Sequence, residues 1–560
     1  MSDIAWMTWG EAAFARARTE DKPILLSISA VWCHWCHVMD DTSYRDPGVV
    51  DRINANYVPV RVDNDERPDI NARYNMGGWP TTAFLAPDGT TLTGATYLPP
   101  AQMRRALDEI AQFYTEKKGE IAERAAEMRA TRRTYEPSTP DALRGALVDA
   151  IAAQIADAYD EEFGGFGDAP KFPQPEALEF LLAEWRVRRD TRLHEMVART
   201  MREMARGGMY DHVEGGFFRY STTRDWSVPH FEKMSEDHAG LVRVLAQLQL
   251  AAPSDDWHAI ARSALGYVRT VLRDPVTGFF AGSQDADEAY FALPLDERHA
   301  RTAPFVDRRA YANWTSALAG AFAWASVAFD DDALAAEAAT ALDALHERMR
   351  DDDGLLYHVA APGEAPRVRG LLADQSAYLR ALLDLHEVTG APRFLERART
   401  HADLLIARFG ATDGGFYDRA DLEASIGRLE LPDRPIIENG IVAESLLRLG
   451  AMTGDTRYHG EAERTLLLYA RTHGSAGSFA ATYARALRRY LLPTLSVRVT
   501  GAPERTEAFR EAARRLPDPF TTVYADAAGN PAAYLCLGTL CAAPVTDAAE
   551  LRAAYDALAV

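Results

Sequence analysis

The sequence predicts a multidomain protein: an N-terminal α/β domain, a central all-α (α/α)6 six-hairpin toroid and a small C-terminal α/β module. Three observations carry that expectation: a length of 560 residues, a Cys33-x-x-Cys36 motif straight after an apolar run, and six Gly-aromatic loops spread through an Ala- and Leu-rich middle. A chain this long exceeds one ordinary core. Its 47% hydrophobic and 26% charged residues are a globular balance. A net charge of −21 argues against nucleic acid or an anionic membrane as partner. Met1 to Lys22 shows no basic segment followed by an apolar stretch, and Ala317 to Phe329 is too short to span a bilayer. A soluble, cytoplasmic protein is expected.

Taken in order, Ile24 to Ala30 reads as a strand and leads into Val31-Trp32-Cys33-His34-Trp35-Cys36-His37, where helical spacing begins. Asp46-Pro47 reads as an N-cap with a first-turn proline. Tyr57 to Val62 alternates as a strand; Thr82 to Leu85, the Pro87-Asp88-Gly89 turn and Thr90 to Leu92 form a hairpin. Gly78-Trp79-Pro80-Thr81 precedes it, and Thr115 to Thr134 is a charged helical tail before a Pro137–Pro140 linker. The expected boundaries are 1–135, 141–490 and 491–560.

Only four cysteines occur, as Cys33/Cys36 and Cys536/Cys541, too few for a disulfide framework. Trp32-Cys-x-x-Cys36 together with Gly78-Trp79-Pro80-Thr81 resembles the thioredoxin fold, which implies Pro80 as a cis-proline facing the cysteine pair, with Trp32 and Trp79 flanking it. Cys33 at a helix N-terminus is placed to be a thiolate nucleophile, and Cys36 one turn along to resolve the mixed disulfide. Haem attachment by Cys-x-x-Cys-His37, zinc binding and a domain kept only for packing or docking are the alternatives. Thioredoxins carry a buried acid where this chain has Ser27. His34 or His37 is the substitute, through an imidazolium beside Cys33, and a couple more oxidising than thioredoxin's is expected.

From 141 to 490 the last glycine of each loop falls at 165, 216, 278, 354, 415 and 477. Each interval holds two helices and two loops, the mark of stacked helical hairpins. Asp160, Asp211, Asp274, Asp351 and Asp413 precede five of these glycines, where turn chemistry is the plain reading. Two stretches concentrate polar and aromatic residues suited to a sugar: Arg219 and Tyr220 through Trp226, His230, Glu232 and Lys233, and Asp285 with Asp287. These and Asp211 are the candidate funnel residues.

Cys33-His-Trp-Cys-His-Val-Met39, Asp65-Glu-Arg-Pro-Asp69, Gly77-Gly-Trp-Pro80, Ala169-Pro-Lys-Phe-Pro173, Val228-Pro-His-Phe-Glu-Lys-Met234 and Gln284-Asp-Ala-Asp287 follow one another along the chain. Together they resemble the spermatogenesis-associated thioredoxin-domain family and its bacterial relatives. The resemblance implies a thioredoxin-like domain fused to a six-hairpin barrel similar to glycosidases and N-acylglucosamine 2-epimerases. Where that family has Trp-Asn-Gly in a mid-barrel helix, Asn313-Trp314-Thr315-Ser316 stands here.

The C-terminal module reads as a strand Leu495–Thr500, a helix from about Glu504 to Leu516, strands near Thr521–Tyr524 and Ala533–Leu537, and a helix from Asp547. Cys536 and Cys541 are expected to be ordinary buried thiols, with a secondary redox pair as the alternative. The leading functional expectation is a thiol–disulfide oxidoreductase acting on a disulfide-bearing protein or a small thiol. A sugar isomerase or hydrolase barrel and a non-catalytic scaffold are the alternatives. No cofactor or metal is expected.

Overall fold

The computed structural model describes residues 3–130, 138–421, 425–502 and 505–558. The chain divides into two compact units: 1–134 with 419–433, and 135–418 with 434–560.

In the first unit β1 (Met7–Thr8), β2 (Ile24–Ser29), β3 (Val58–Asp63), β4 (Thr81–Leu85) and β5 (Thr91–Ala95) form one sheet in the order β1-β3-β2-β4-β5. β1 and β2 run parallel to β3; β4 runs antiparallel to β2 and β5. Helices α1 (Glu11–Glu20), α2 (His34–Asp41), α3 (Pro47–Asn56), α4 (Pro68–Tyr74) and α5 (Pro100–Ala130) complete the thioredoxin-like architecture. Asp46 caps α3 by accepting from the Val49 N–H at 3.0 Å, as its Asp-Pro start predicts. The expected helical tail is seen as far as Ala130; Thr134 and the linker's Pro137 lie outside the described residues.

Alternation along β2 sorts the core. Ile24, Leu26 and Ile28 pack with Phe14, Val60 and Tyr74 on one face, and Leu25 with Met39, Tyr44 and Phe84 on the other. The first face also takes in Leu429, from the distant segment 419–433. There Gly427 (φ +63°) meets Gly89 (φ +85°) of the β4–β5 turn so closely that a Cβ on Gly89 would lie 2.4 Å from the Gly427 Cα. Only glycine fits that contact. The Tyr74 hydroxyl ties the two strands of chain together, donating to Gly89 O at 3.0 Å and accepting from the Arg428 N–H at 2.8 Å.

In the second unit twelve helices alternate between an outer and an inner ring. The outer ones are α6 (Gly145–Asp157), α8 (Thr191–Arg206), α10 (Asp255–Tyr267), α12 (Asp332–Arg348), α14 (Pro392–Phe409) and α16 (Thr456–Tyr469). The inner ones are α7 (Pro175–Arg188), α9 (Ser235–Ala251), α11 (Ala312–Ala328), α13 (Leu372–Thr389), α15 (Ile436–Thr453) and α17 (Ala481–Leu491). Each inner helix packs on the next, and α17 packs back on α7, closing the ring. The Gly-aromatic loops join each outer helix to the following inner one. Five make the same antiparallel bridge: Tyr159 with Phe166, Tyr210 with Phe217, Arg273 with Phe280, Arg350 with Leu356, and Gly410 with Phe416. In the sixth, Phe479 is exposed instead.

The loops also build an antiparallel sheet that helical periodicity does not reveal. It comprises β8 (Lys233–Met234), β9 (Ala281–Gln284), β10 (Val306–Tyr311), β11 (Tyr357–Ala360) and β12 (Arg367–Arg369), preceded by the separate pair β6 (Tyr220–Ser221) and β7 (Pro229–His230). The C-terminal strands β13 (Leu495–Thr500), β14 (Thr522–Asp526), β15 (Ala532–Leu537) and β16 (Leu540–Cys541) pair in the order β14-β13-β15-β16, with α18 (Glu507–Arg514) and α19 (Leu551–Leu558). The expected start of the first of these helices, Glu504, lies outside the described residues. This module belongs to the barrel unit: Arg186 donates to Leu516 O and Pro517 O, and Arg514 to Val388 O. Cys536 and Cys541 are not buried thiols. They face each other across β15 and β16 and are disulfide-bonded, with Cys541 exposed at the hairpin surface. No described helix is long and apolar enough to cross a membrane.

Candidate functional site

Cys33 is the N-cap of α2, in extended backbone, and its Sγ accepts from the Cys36 N–H at 3.2 Å. The two cysteines form a disulfide with Cα atoms 5.2 Å apart, and both are nearly buried. The helix N-terminus thus directs an N–H and the positive end of its dipole at the Cys33 sulfur. Trp32 is fixed by a 2.6 Å bond from its Nε1 to Asp65, which accounts for the acid that opens the Asp65–Asp69 motif. Trp79, whose peptide to Pro80 is cis, packs edge-on against Trp32 at 5.6 Å and so brings the Pro80 loop beside the cysteine turn. Trp35 is half-exposed and lies against Tyr97 at 5.3 Å, giving the pair an aromatic rim. His34 and His37 are exposed on the first turn of α2.

Ser27, where thioredoxins carry an acid, pairs in register with Arg61 on β3 and Thr82 on β4, on the sheet face that packs Met39 of α2. Arg61 pairs with Asp40 of α2 and lies over the rings of Trp6 and Tyr44. Burial raises the Tyr44 phenol above its ordinary value, so a neutral hydroxyl stands in this layer. The layer therefore holds an arginine and hydroxyls at the positions beside Ser27.

In the barrel the structure separates the sequence candidates into two groups. Asp211, Lys233 and Trp226 are packing residues. Lys233 Nζ donates to Asp211 at 2.7 Å and to Gly215 O at 2.8 Å, while Arg298 Nη1 meets the same Asp211 oxygen at 2.7 Å; the lysine and acid are almost wholly buried. Burial pushes Lys233 down to about 8 against the pull of Asp211. Burial of Asp211 is outweighed by Arg298 and Lys233, which hold its carboxyl below the usual range. Trp226 is fully buried with its Nε1 on Phe163 O. The same device recurs around the ring, as Asp160 with Lys171 at 2.7 Å, Asp351 with Arg369, and Asp413 with Arg434 at 2.6 Å. Asp274 holds its own turn through Val276 N and Thr277 Oγ1. Asp287 caps a short helical turn at the Tyr290 N–H, and Asp285 accepts from the Ala286 N–H.

Arg219, Tyr220, His230 and Glu232 form the second group. His230 Nδ1 is bonded to Glu232 Oε2, and its ring stacks on Tyr220 at 4.9 Å, which stacks on Phe172 at 4.7 Å. Arg219 acts electrostatically on Glu236 and Asp237 in the first turn of α9. Glu176, Glu236, Trp314 and Glu438 line a funnel at the N-terminal ends of the inner helices, and the sequence reading passed over Glu176 and Glu236. An acid in a helix's first turn reads as capping; the available signal was its repetition in the inner helices, at Glu176, Glu236, Asp374 and Glu438. Deeper along the axis Glu179 pairs with Arg380 at 2.6 Å and Arg485 at 2.8 Å, and Asp384 with Arg243 at 2.6 Å and Arg448 at 2.9 Å.

Residues 1–132 match the Thioredox_DsbH family model, described as "Protein of unknown function, DUF255". Spermatogenesis-associated protein 20 of Rattus norvegicus is 35% identical over 312 residues, covering 51% of this chain and 39% of that protein. The chain is similar to that protein over about half of its own length. The resemblance read from the motifs holds on both counts, although the match spans only about two fifths of the relative's length. Thiol:disulfide interchange protein DsbD 1 of Pseudomonas aeruginosa is 39% identical over 83 residues, 14% of each chain. Among solved structures, cellobiose 2-epimerase from Bacillus thermoamylovorans is similar at 14% identity and a TM-score of 0.48, covering 57% of this chain and 86% of that one. The helix order given above stands without that likeness.

Proposed function

We propose that this chain is a thiol–disulfide oxidoreductase acting through Cys33 and Cys36. The observation that carries the reading is Cys33 as N-cap of α2, its sulfur on the Cys36 N–H at 3.2 Å, beside the Trp79–cis-Pro80 loop. In the reduced form the Cys33 thiolate attacks one sulfur of a substrate disulfide. An S–S bond forms to Cys33, and the other substrate sulfur leaves as thiolate. Cys36, losing its proton, attacks the Cys33 sulfur; the second substrate thiolate departs and takes up a proton. Two electrons pass to the substrate, and the Cys33–Cys36 disulfide remains for reduction by a dithiol. The reverse sequence oxidises a dithiol substrate. The Trp35, Tyr97 and Trp79 rim suits a disulfide-bearing polypeptide, and the similarity to a thiol:disulfide interchange protein supports the same class.

A Cys36→Ser variant tests this directly, because it leaves Cys33 to attack and removes the resolving thiol. Incubated with a disulfide-bearing protein, it is expected to accumulate a mixed disulfide released by dithiothreitol and absent from Cys33→Ser. Equal trapping by both variants refutes the assignment of Cys33.

The His230–Glu232 pair supports a second reading, a carbohydrate-active barrel. A carboxylate holding Nδ1 leaves Nε2 for proton transfer, and Phe172, exposed at the end of the His230–Tyr220–Phe172 stack, offers a face to a sugar ring. Isomerisation or hydrolysis lost in His230→Ala but retained in Cys33→Ser is the result that favours it.

A further inference from the structure

At the end of the ring away from the funnel mouth, the inner helices stop against the C-terminal module, and a cavity of about 90 Å³ lies between them. That is several times the roughly 10–15 Å³ one water needs, and less than the roughly 150 Å³ of a cavity that holds benzene. A compact polar occupant fits such a space. Seven arginines and four carboxylates line it. Cations at helix C-terminal ends complement the dipole, which accounts for arginines in this place but not for a cavity among them.

Five of the arginines are matched on the barrel axis. Arg243 and Arg448 pair with Asp384 at 2.6 and 2.9 Å, Arg380 and Arg485 with Glu179 at 2.6 and 2.8 Å, and Arg489 with Glu444 at 3.4 Å. Arg514 pairs with Glu507, an acid more than half exposed that Arg510 shares. Arg186 has no carboxylate within ion-pair distance among the described residues. Its Nη2 donates to Leu516 O at 2.7 Å and its Nε to Pro517 O at 3.0 Å, which leaves Nη1 open. Desolvation pulls Arg186 down to about 10 against the opposing charge of Asp518. Arg489 Nη1 donates to Phe520 O at 2.9 Å and Thr522 Oγ1 at 3.1 Å, and Arg514 Nη1 to Val388 O at 2.6 Å. Arginines from α7, α17 and α18 thus converge where residues 514–522 cross the ring. Arg485, Arg489 and Arg514 each keep a buried Nε–H with no acceptor. Native structures rarely leave such donors unmatched without a reason. Asp518 lines the same cavity; its Oδ1 accepts from the Phe520 N–H at 2.7 Å, and its Oδ2 has no partner among the described residues.

We propose that this cavity binds inorganic phosphate. Guanidinium N–H groups of Arg186, Arg489 and Arg514 donate to the phosphate oxygens, forks whose geometry matches an oxyanion. The O–H that phosphate keeps at pH 7 donates to Asp518. An anion supplies the negative charge that Arg186 lacks, and Asp518 selects the protonated one. Sulfate has no proton at this pH and sets its oxygens against that carboxylate. A neutral molecule leaves the guanidinium charge unmatched, and a cation adds to it. Bound phosphate joins α7 and α17 of the ring to α18, so occupancy fastens the C-terminal module to the barrel.

The proposal concerns binding alone and does not rest on the cysteine chemistry. It is tested by equilibrium dialysis of the full chain against radiolabelled phosphate at pH 7, with ionic strength held constant by chloride. Saturable binding of one phosphate per chain is expected. Sulfate and phenylphosphate should compete about tenfold or more weakly, the first for want of one charge-assisted bond and the second for its size. Arg186→Lys, which keeps the charge and loses the fork, should weaken phosphate binding about tenfold. Asp518→Asn keeps an oxygen for the Phe520 N–H and removes the negative charge. Sulfate should then gain about tenfold relative to phosphate, a gain that misfolding cannot imitate. Arg498→Gln, at an exposed arginine of β13, is the control and should leave phosphate binding unchanged. No saturable phosphate binding, sulfate or phenylphosphate binding as tightly as phosphate, Arg186→Lys without effect, or Asp518→Asn with unchanged selectivity would each overturn it.

Discussion

Replacing Gly320 by alanine sets two physical effects against each other. Gly320 lies inside α11, where helix propensity alone makes alanine about 1 kcal/mol more stable than glycine. In this fold, however, a Cβ at 320 would stand 2.4 Å from Arg243 Nη2 and 2.8 Å from Asp384 Oδ2, the two ends of a buried 2.6 Å ion pair on the barrel axis. Arg243 has little freedom to yield, being buried with Glu179 4.0 Å away. Parting a buried pair costs about 3–5 kcal/mol, so the net expectation is a loss of about 2–4 kcal/mol. Gly460, inside α16 with nothing within 4 Å of its would-be Cβ, is the control, and its alanine variant is expected to gain about 1 kcal/mol. The assay is urea denaturation of both variants, with hydrogen exchange by mass spectrometry on peptides of α11 and α13 to localise the change. A Gly320→Ala protein as stable as the Gly460→Ala variant would refute the reasoning.

Two other outcomes follow from the same geometry. Leu429→Ala removes a buried side chain from the core of the cysteine-bearing unit; a cost of about 2–5 kcal/mol is expected, visible as faster hydrogen exchange in β2 and β3, and unchanged exchange there would contradict the docking of 419–433. Acid should loosen the barrel axis: burial raises Glu444, but Arg485 and Arg489 outweigh it and hold the group at about 2, against 4.5 when unpaired. Because the folded value is the lower, this stabilisation is present above about pH 4.5 and is lost as pH falls towards 2. Barrel stability that stays flat across that window in a denaturation series would contradict the pairing.

Much of this fold is written in local pattern. The Cys-x-x-Cys turn, the Asp46-Pro47 cap and the Gly-aromatic loops each depend on residues a few positions apart, and the structure keeps each of them. Long-range pairing was the hidden part. Nothing near Leu429 marks it as core for a sheet more than 300 residues earlier; the docking shows where Gly427 meets Gly89 and the Tyr74 hydroxyl bonds both Gly89 and Arg428. Asp211 and Lys233 illustrate the same limit at the site. Their residue types suit catalysis, yet together they satisfy each other inside the loop, an arrangement repeated by Asp160 and Lys171. Conversely Glu176 and Glu236 resemble first-turn acids until ring closure turns the N-terminal ends of five inner helices onto one funnel.

The central claim is that Cys33 and Cys36 form a working redox couple. The measurement that tests it most directly is equilibration of the full chain across glutathione redox buffers, followed by alkylation and mass counting of free thiols in the Cys33–Cys36 peptide. The account predicts a reversible two-thiol transition that is absent from Cys33→Ser, at a potential more oxidising than thioredoxin's about −270 mV, because Ser27 and Arg61 occupy the layer where thioredoxins place an acid. Cysteines that remain reduced, or remain oxidised, across the whole range would contradict it.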